Sequence, residues 1–384
     1  MAHGGPLLTP PTPNQILFAR NFLRVVNKNE ELRAQNLLIS PAGARSALTL
    51  VFMAAGGKTA GELRSGLMLG PAKKMAIAKQ HAESISKDCV CNEKGASIRL
   101  ATGLYITNEQ DLHPNFNSQA GEFFNTRADT LNFLDAVGSM HQVNSWLQRQ
   151  TFNTVHKLLT PDAFTLESRI FLVNTVYFRA KWTKRFPEKN TMLGDFTISA
   201  EQKMQLPMMR QIGEFRFGES KKLNSRILQL PFEESDLSLL LILPLEELGI
   251  SELESKLEKF DLNEVAQKSV MHDVDVTLPR FKIECDVDLK EPLKKLGVKR
   301  IFKNGVADLK GLFAKKAPHP ITEARQKLSL SINEAGCTTN IDESTKNRFV
   351  KANPERKVFV ADHPFVFAIR NNKIVYFVGH FVRP

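Results

Sequence analysis

The chain has 384 residues, 42% hydrophobic and 24% charged, a balance that supports a packed core and excludes a disordered chain. No run reaches the roughly 18 apolar residues of a membrane-spanning helix. Fifty-two Lys and Arg against 41 Asp and Glu give a formal charge of +11, which favours polyanions without naming one.

Residues 1–14 carry Pro6, Pro10, Pro11 and Pro13 and read as a flexible Pro-rich tail. They lack the basic-then-apolar order of an intact signal peptide, so the chain reads either as cytosolic or as a mature secreted form. Residues 15–28 repeat Ile16, Phe18, Ala19, Phe22, Leu23 and Val26 at helical spacing. A short buried strand at 36–41 stops at Pro41. Residues 44–55 are nearly all apolar and predict a core helix ended by Gly56-Gly57. Helices follow at 59–67 and 71–87, the second bearing Lys73, Lys74, Lys79 and Lys87 among Met75, Ile77 and Ile85. Strand character then rises, at 98–107, 169–178, 237–243, 275–283, 327–332, 365–369 and 374–378, with short helices at 248–260 and 289–296. No internal repeat or linker splits the chain, and one large α+β domain spanning 15–384, built on antiparallel or mixed sheets, is expected.

A search for catalytic chemistry returns little. No Gly-rich phosphate loop, H-E-x-x-H or G-x-S-x-G occurs. The nine histidines are scattered, and Cys89, Cys91, Cys285 and Cys337 have no metal spacing. No enzyme activity, metal or cofactor is expected. The basic pairs read as solvated faces, and three Tyr with two Trp are too few for a nucleic-acid stacking platform. Residues 334–357 stand apart. The stretch EAGCTTNIDESTKNRFVKANPERK is polar, small and longer than the about 12–15 residues a compact domain tolerates without function. It presents Arg348, the residue type that the carboxylate pocket of a trypsin-like protease accepts.

The whole chain resembles the serpin family. FVADHPFVFAI at 359–369 matches the family's C-terminal signature. NLLISP at 36–41 is similar to its opening strand, and FLVN at 171–174 with Lys181-Trp182 to its central strand. LPMM at 206–209, LPRF at 278–281, ADL at 307–309 and GHFV at 379–382 follow in family order. The resemblance implies three β-sheets, eight to nine helices and an exposed reactive-centre loop at about 334–357. It implies a metastable monomer that traps a serine protease: the protease cuts the loop, the loop enters the main sheet as a new strand, and the acylated enzyme is distorted. It further implies a hinge formed by Glu334, Ala335, Gly336, Cys337, Thr338, Thr339, Asn340, Ile341, Asp342 and Glu343. Ser40, Asn174 and Gln326 would form a shutter and Trp182 a breach. A weaker implication is a sulfated-polysaccharide site at Lys73, Lys74, Lys79 and Lys87. Asn347-Arg-Phe349 is similar to loops of secreted insect serpins that restrain melanisation through clip-domain-type proteases.

Several positions depart from the family pattern. Period-two alternation from Cys337 turns Thr339, Ile341, Glu343 and Thr345 inward on insertion. Burying Glu343 unpaired costs several kcal/mol, and Asn340 and Asp342 weaken a strand. The expectation is therefore that Glu343→Thr eases insertion, with a non-inhibitory serpin as the alternative function. Gln326 stands where a shutter His is usual, and Gly43 where a Ser is common. The scissile bond has two readings. Counting sixteen residues from Glu334 gives Val350-Lys351, whereas chemistry gives Arg348-Phe349. The chemistry is preferred, at the cost of roughly 7 Å of inserting strand.

Overall fold

The computed structural model describes residues 14–86, 95–155, 159–315, 319–337 and 353–384. The helices are α1 (Asn14–Val26), α2 (Glu30–Arg33), α3 (Pro41–Ala54), α4 (Gly57–Gly66), α5 (Lys74–Ser86), α6 (Pro114–Phe124), α7 (Ala136–Gln150), α8 (Ile250–Leu257), α9 (Leu262–Ala266) and α10 (Lys290–Lys295). The strands are β1 (Leu37–Ile39), β2 (Ser97–Thr107), β3 (Ala128–Leu131), β4 (Ile170–Lys181), β5 (Met192–Thr197), β6 (Lys203–Ser220), β7 (Ser225–Pro231) and β8 (Ser238–Pro244). They continue with β9 (Val270–Pro279), β10 (Phe281–Asp288), β11 (Ile321–Ile332), β12 (Gly336–Cys337), β13 (Lys357–Val360), β14 (Phe365–Arg370) and β15 (Val375–Phe381). Ten α-helices thus fall within the described residues, against the eight or nine expected. The surplus is short, since α2 is one turn of four residues and α9 has five.

The main sheet runs β10-β11-β4-β2-β3, with β12 added beside β4. The second network runs β1-β15-β14-β8-β7-β6-β9-β13, with β5 on β6. It is two sheets fused through the 18-residue β6. One edge of β6 pairs with β9, while its other edge changes partner from β5 to β7. That fusion is why the three expected sheets form two hydrogen-bonded networks among the described strands. The single strand expected at 275–283 is two, because Arg280 separates β9 in one network from β10 in the other.

Even-numbered residues of β4 (Val176, Phe178, Ala180) pack with Leu239, Leu241, Phe367 and Phe377 into the core between the networks. Odd-numbered Phe171 and Val173 pack beneath α7 against Val143 and Leu147. This alternation gives every residue of β4 one of two fates, and it fixes which face an added neighbour would present. α3 starts where Ser40 caps it, accepting a hydrogen bond from the Gly43 amide at 3.0 Å, with Pro41 as the first helical residue. α1 begins at Asn14, one residue inside the expected tail.

Candidate functional site

The main sheet has a parallel joint at its centre. β11 pairs with β4 in parallel from Ile321↔Ile170 to Leu328↔Val176, whereas β10–β11 and β2–β4 are antiparallel. Beyond Leu328 the β4–β11 pairing stops. A cleft of about 240 Å³ opens there, lined by Tyr177, Arg179, Ser329, Ser331 and Cys337, with Phe152 at its front.

The chain itself enters the head of this cleft. β12 pairs antiparallel with β4 through Gly336↔Lys181 and Cys337↔Ala180. A tight turn delivers it: Asn333 Oδ1 accepts from the amides of Ala335 (3.0 Å) and Gly336 (3.2 Å). Gly336 has φ +147, and a Cβ there would lie 2.0 Å from the Ala180 carbonyl oxygen, so only glycine fits. Trp182 braces the turn. Its indole N–H donates to the Asn333 carbonyl (2.9 Å) and its backbone N–H to that of Ala335 (3.0 Å). The ring stacks on Phe232 at 4.7 Å.

Glu334 is 2% exposed. Its Oε1 lies 2.5 Å from Arg280 Nη2 and accepts from Thr191 Oγ1 at 2.7 Å. Burial pushes its carboxyl pKa up, but the hydrogen bonds from Arg280 and Thr191 outweigh that, and the net shift is downward. Burial alone holds the Cys337 thiol well above its ordinary range, so it stays protonated and inert. The expectation of one exposed loop across 334–357 is therefore corrected at its start, because Glu334, Ala335, Gly336 and Cys337 are all buried. At its end Arg356 Nε donates to Asp273 at 3.0 Å, and the exposed Lys357 opens β13. Thr338, Thr339, Asn340, Ile341, Asp342, Glu343, Arg348, Phe349, Val350 and Lys351 lie outside the described residues, as do Cys89 and Cys91.

Ser40, Asn174 and Gln326 meet at the centre of the joint, each 0% exposed. Gln326 Nε2 donates to Asn174 Oδ1 (2.7 Å) and to the Ser40 carbonyl (2.9 Å), while its Oε1 accepts the Ser40 amide (2.8 Å). Asn174 Nδ2 donates to the Ala101 carbonyl on β2 (3.0 Å). The cluster ties both strands of the joint to the start of α3. A Cβ on Gly43 would come within 2.5 Å of Asn174 Oδ1, which explains the glycine.

Lys73, Lys74 and Lys79 do not act as one exposed face. Lys74 folds inward, its ammonium donating to the Met53 carbonyl (3.1 Å) and to that of Ala55, with the Phe52 ring 5.2 Å away. It caps the end of α3, and burial lowers its pKa. Lys73 and Lys79 are exposed, and Lys87 lies outside the described residues. Among the described residues no cluster of three His, Cys, Asp or Glu is placed to hold a metal ion. Arg280, Thr191 and Asn333 escaped the sequence reading: the partners of Glu334 lie 54 and 143 residues away in the chain, with no local signal.

Comparison with known proteins agrees with this architecture. The family model for serpins (serine protease inhibitors) matches residues 14–384. "Serine protease inhibitor 42Dd" of Drosophila melanogaster is 32% identical over 354 residues, covering 91% of this chain and 92% of that protein. "Antichymotrypsin-2" of Bombyx mori is 30% identical over 370 residues, 96% of each. The crystal structure of Serpin48 from the insect Tenebrio molitor superposes with a TM-score of 0.85 at 29% identity, covering 97% of both chains. A fused pair of sheets, a main sheet with a parallel joint at its centre, and a buried hinge entering that joint thus occur in a chain that belongs to the serpin family.

Proposed function

We propose that this chain is a secreted, monomeric suicide inhibitor of a trypsin-like serine protease. Residues 15–384 act as one domain, and the bait bond is Arg348-Phe349. The observation that carries the reading is the half-open joint. β4 and β11 are paired only below Leu328–Val176, and the residues leading into 338–352 already occupy the head of the cleft. An antiparallel strand entering there would replace one parallel pairing with two antiparallel ones, which are slightly more stable per residue. Continuing the β12 register sets Asn347 opposite Ile170, the first residue of β4. A cut after Arg348 therefore supplies enough strand to run the full length of β4. The protein consumes itself in the reaction rather than turning over, so it is an inhibitor and not a catalyst.

The test is incubation with a panel of trypsin-like proteases. The expected result is a covalent, SDS-stable complex at near-equimolar ratio, with mass spectrometry placing the cut after Arg348. Clean clipping with release of active protease rejects the reading and leaves a non-inhibitory serpin, the alternative favoured by the acidic Asp342-Glu343 pair in the hinge. Sulfated polysaccharide is a secondary proposal, confined to Lys73, Lys79 and Lys87 because Lys74 caps α3. It requires a rate enhancement that falls with salt.

A further inference from the structure

β4 is apolar over most of its length, with one polar interruption: Asn174-Thr175 is the sole polar pair within the buried run 170–176. Asn174 faces the core between the networks. Thr175 faces the other way, is 0% exposed, and its Oγ1 has no hydrogen-bond partner among the described residues. β11 is polar at the same level, where Gln326 pairs with Asn174 and Lys327 with Thr175. The joint thus contains a polar rung: two amides on one face, a hydroxyl and an ammonium on the other. An orphaned hydroxyl in a buried strand costs free energy with no return in the intact fold.

The β12 register says what would meet this rung. From the Cys337↔Ala180 pair, five steps along antiparallel strands bring Asp342 opposite Thr175, and six bring Glu343 opposite Asn174. The faces match as well. Cys337 lies on the Ala180 side, so Glu343 would face the amides and Asp342 would face Thr175 and Lys327. Moving β11 aside frees Gln326 Nε2 from Asn174 Oδ1, giving the Glu343 carboxylate a donor.

We propose that the rung formed by Asn174, Thr175, Gln326 and Lys327 is a receptor for the Asp342-Glu343 segment of this same chain, occupied when the cleaved loop enters the sheet. The proposal rests on the loop-insertion reading above. It reverses the expectation that Glu343 obstructs insertion, since the acidic pair is matched to the two adjacent pairs of the joint at which both strands are polar.

The test compares guanidinium denaturation midpoints of the intact and loop-cleaved full-length protein for wild type, Thr175→Val, Lys327→Met, Asp342→Asn and Glu343→Thr. Thr175→Val should leave the intact midpoint unchanged or raised, because it removes an orphan, and should reduce the gain on cleavage. Lys327→Met should reduce that gain too, and the reduction should disappear when Asp342→Asn is already present. Glu343→Thr should fail to increase the gain. A wild-type gain undiminished in both Thr175→Val and Lys327→Met, or one enlarged by Glu343→Thr, overturns the receptor while leaving insertion intact. No gain in cleaved wild type overturns insertion itself, and the receptor with it. Should Thr175→Val not fold, the cycle of Lys327→Met with Asp342→Asn decides alone.

Discussion

Arg280 and Glu334 form an ion pair across the boundary between the two sheet networks, Nη2 to Oε1 at 2.5 Å. Arg280 is the single residue between β9 and β10, and its amide donates to the Pro207 carbonyl at 2.8 Å. The hinge of the loop is therefore fastened to the point where the main sheet meets its neighbour. Arg280→Met leaves a buried carboxylate with only Thr191 as a side-chain donor among the described residues. A loss of about 1–3 kcal/mol is expected in chemical denaturation of the intact protein. The carboxyl of Glu334 lies below its ordinary range when folded. As pH falls the unfolded state takes up the proton first, so this stabilisation is present above the ordinary carboxylate range and lost as pH drops through the folded value. Arg280→Met lets burial raise that folded value, so this acid loss should shrink or disappear.

Gln326→Leu removes three hydrogen bonds from the buried cluster and orphans the Ser40 amide and carbonyl together with Asn174 Oδ1. The intact protein should lose roughly 3 kcal/mol or more. Backbone amides of β4 and β11 between 170 and 176 and between 321 and 328 should exchange hydrogen faster, measured by mass spectrometry. Unchanged exchange there would mean that the cluster does not hold the joint.

Gly336→Ala places a methyl against the Ala180 carbonyl at a φ that L-residues avoid. The expected outcome is expulsion of β12 from β4. Cys337 reports it directly: 2% exposed in the native hinge, it should resist a thiol reagent in the wild type and react readily in the variant. Peptide mapping separates it from Cys285.

His81 is 7% exposed, bonded to Ser46 Oγ at 3.0 Å and stacked on Phe124 at 4.8 Å. Burial first, and the nearby Arg45 second, push its pKa down to about 3. Below the ordinary value of 6.5 the unfolded state binds a proton that the folded state refuses, so stability falls as pH falls. At about 1.4 kcal/mol per pH unit, wild type should lose about 2 kcal/mol more than His81→Gln between pH 7 and pH 5. Equal losses would show that His81 is not what titrates.

Periodicity made α1, α3 and β4 legible, because each buries a stripe or a whole surface in the core. α7 was not: Val143 and Leu147 bury one flank over the main sheet while Val137 stays exposed, so the apolar signal is diluted. β6 was missed since its alternation breaks where its edge changes partner. Glu334, Ser40, Asn174, Gln326 and Trp182 could be named through the resemblance. Neither pattern nor resemblance could reveal that Lys74 turns inward, that Arg280 and Thr191 hold Glu334, or that Thr175 has no partner among the described residues. Those facts arise from contacts between residues distant in the chain.

The joint between β4 and β11 also has a meaning in time. β4 ends at Lys181 and β11 begins at Ile321, with 338–352 following directly behind. If 338–352 inserts as proposed, the edge of β4 has two claimants, and β11 is the first of them to emerge from the ribosome. Order of birth thus helps decide which strand closes the edge. A circularly permuted chain that delivered 338–352 ahead of β11 would offer that edge the other claimant first, and its nascent fold would set with nothing left to release.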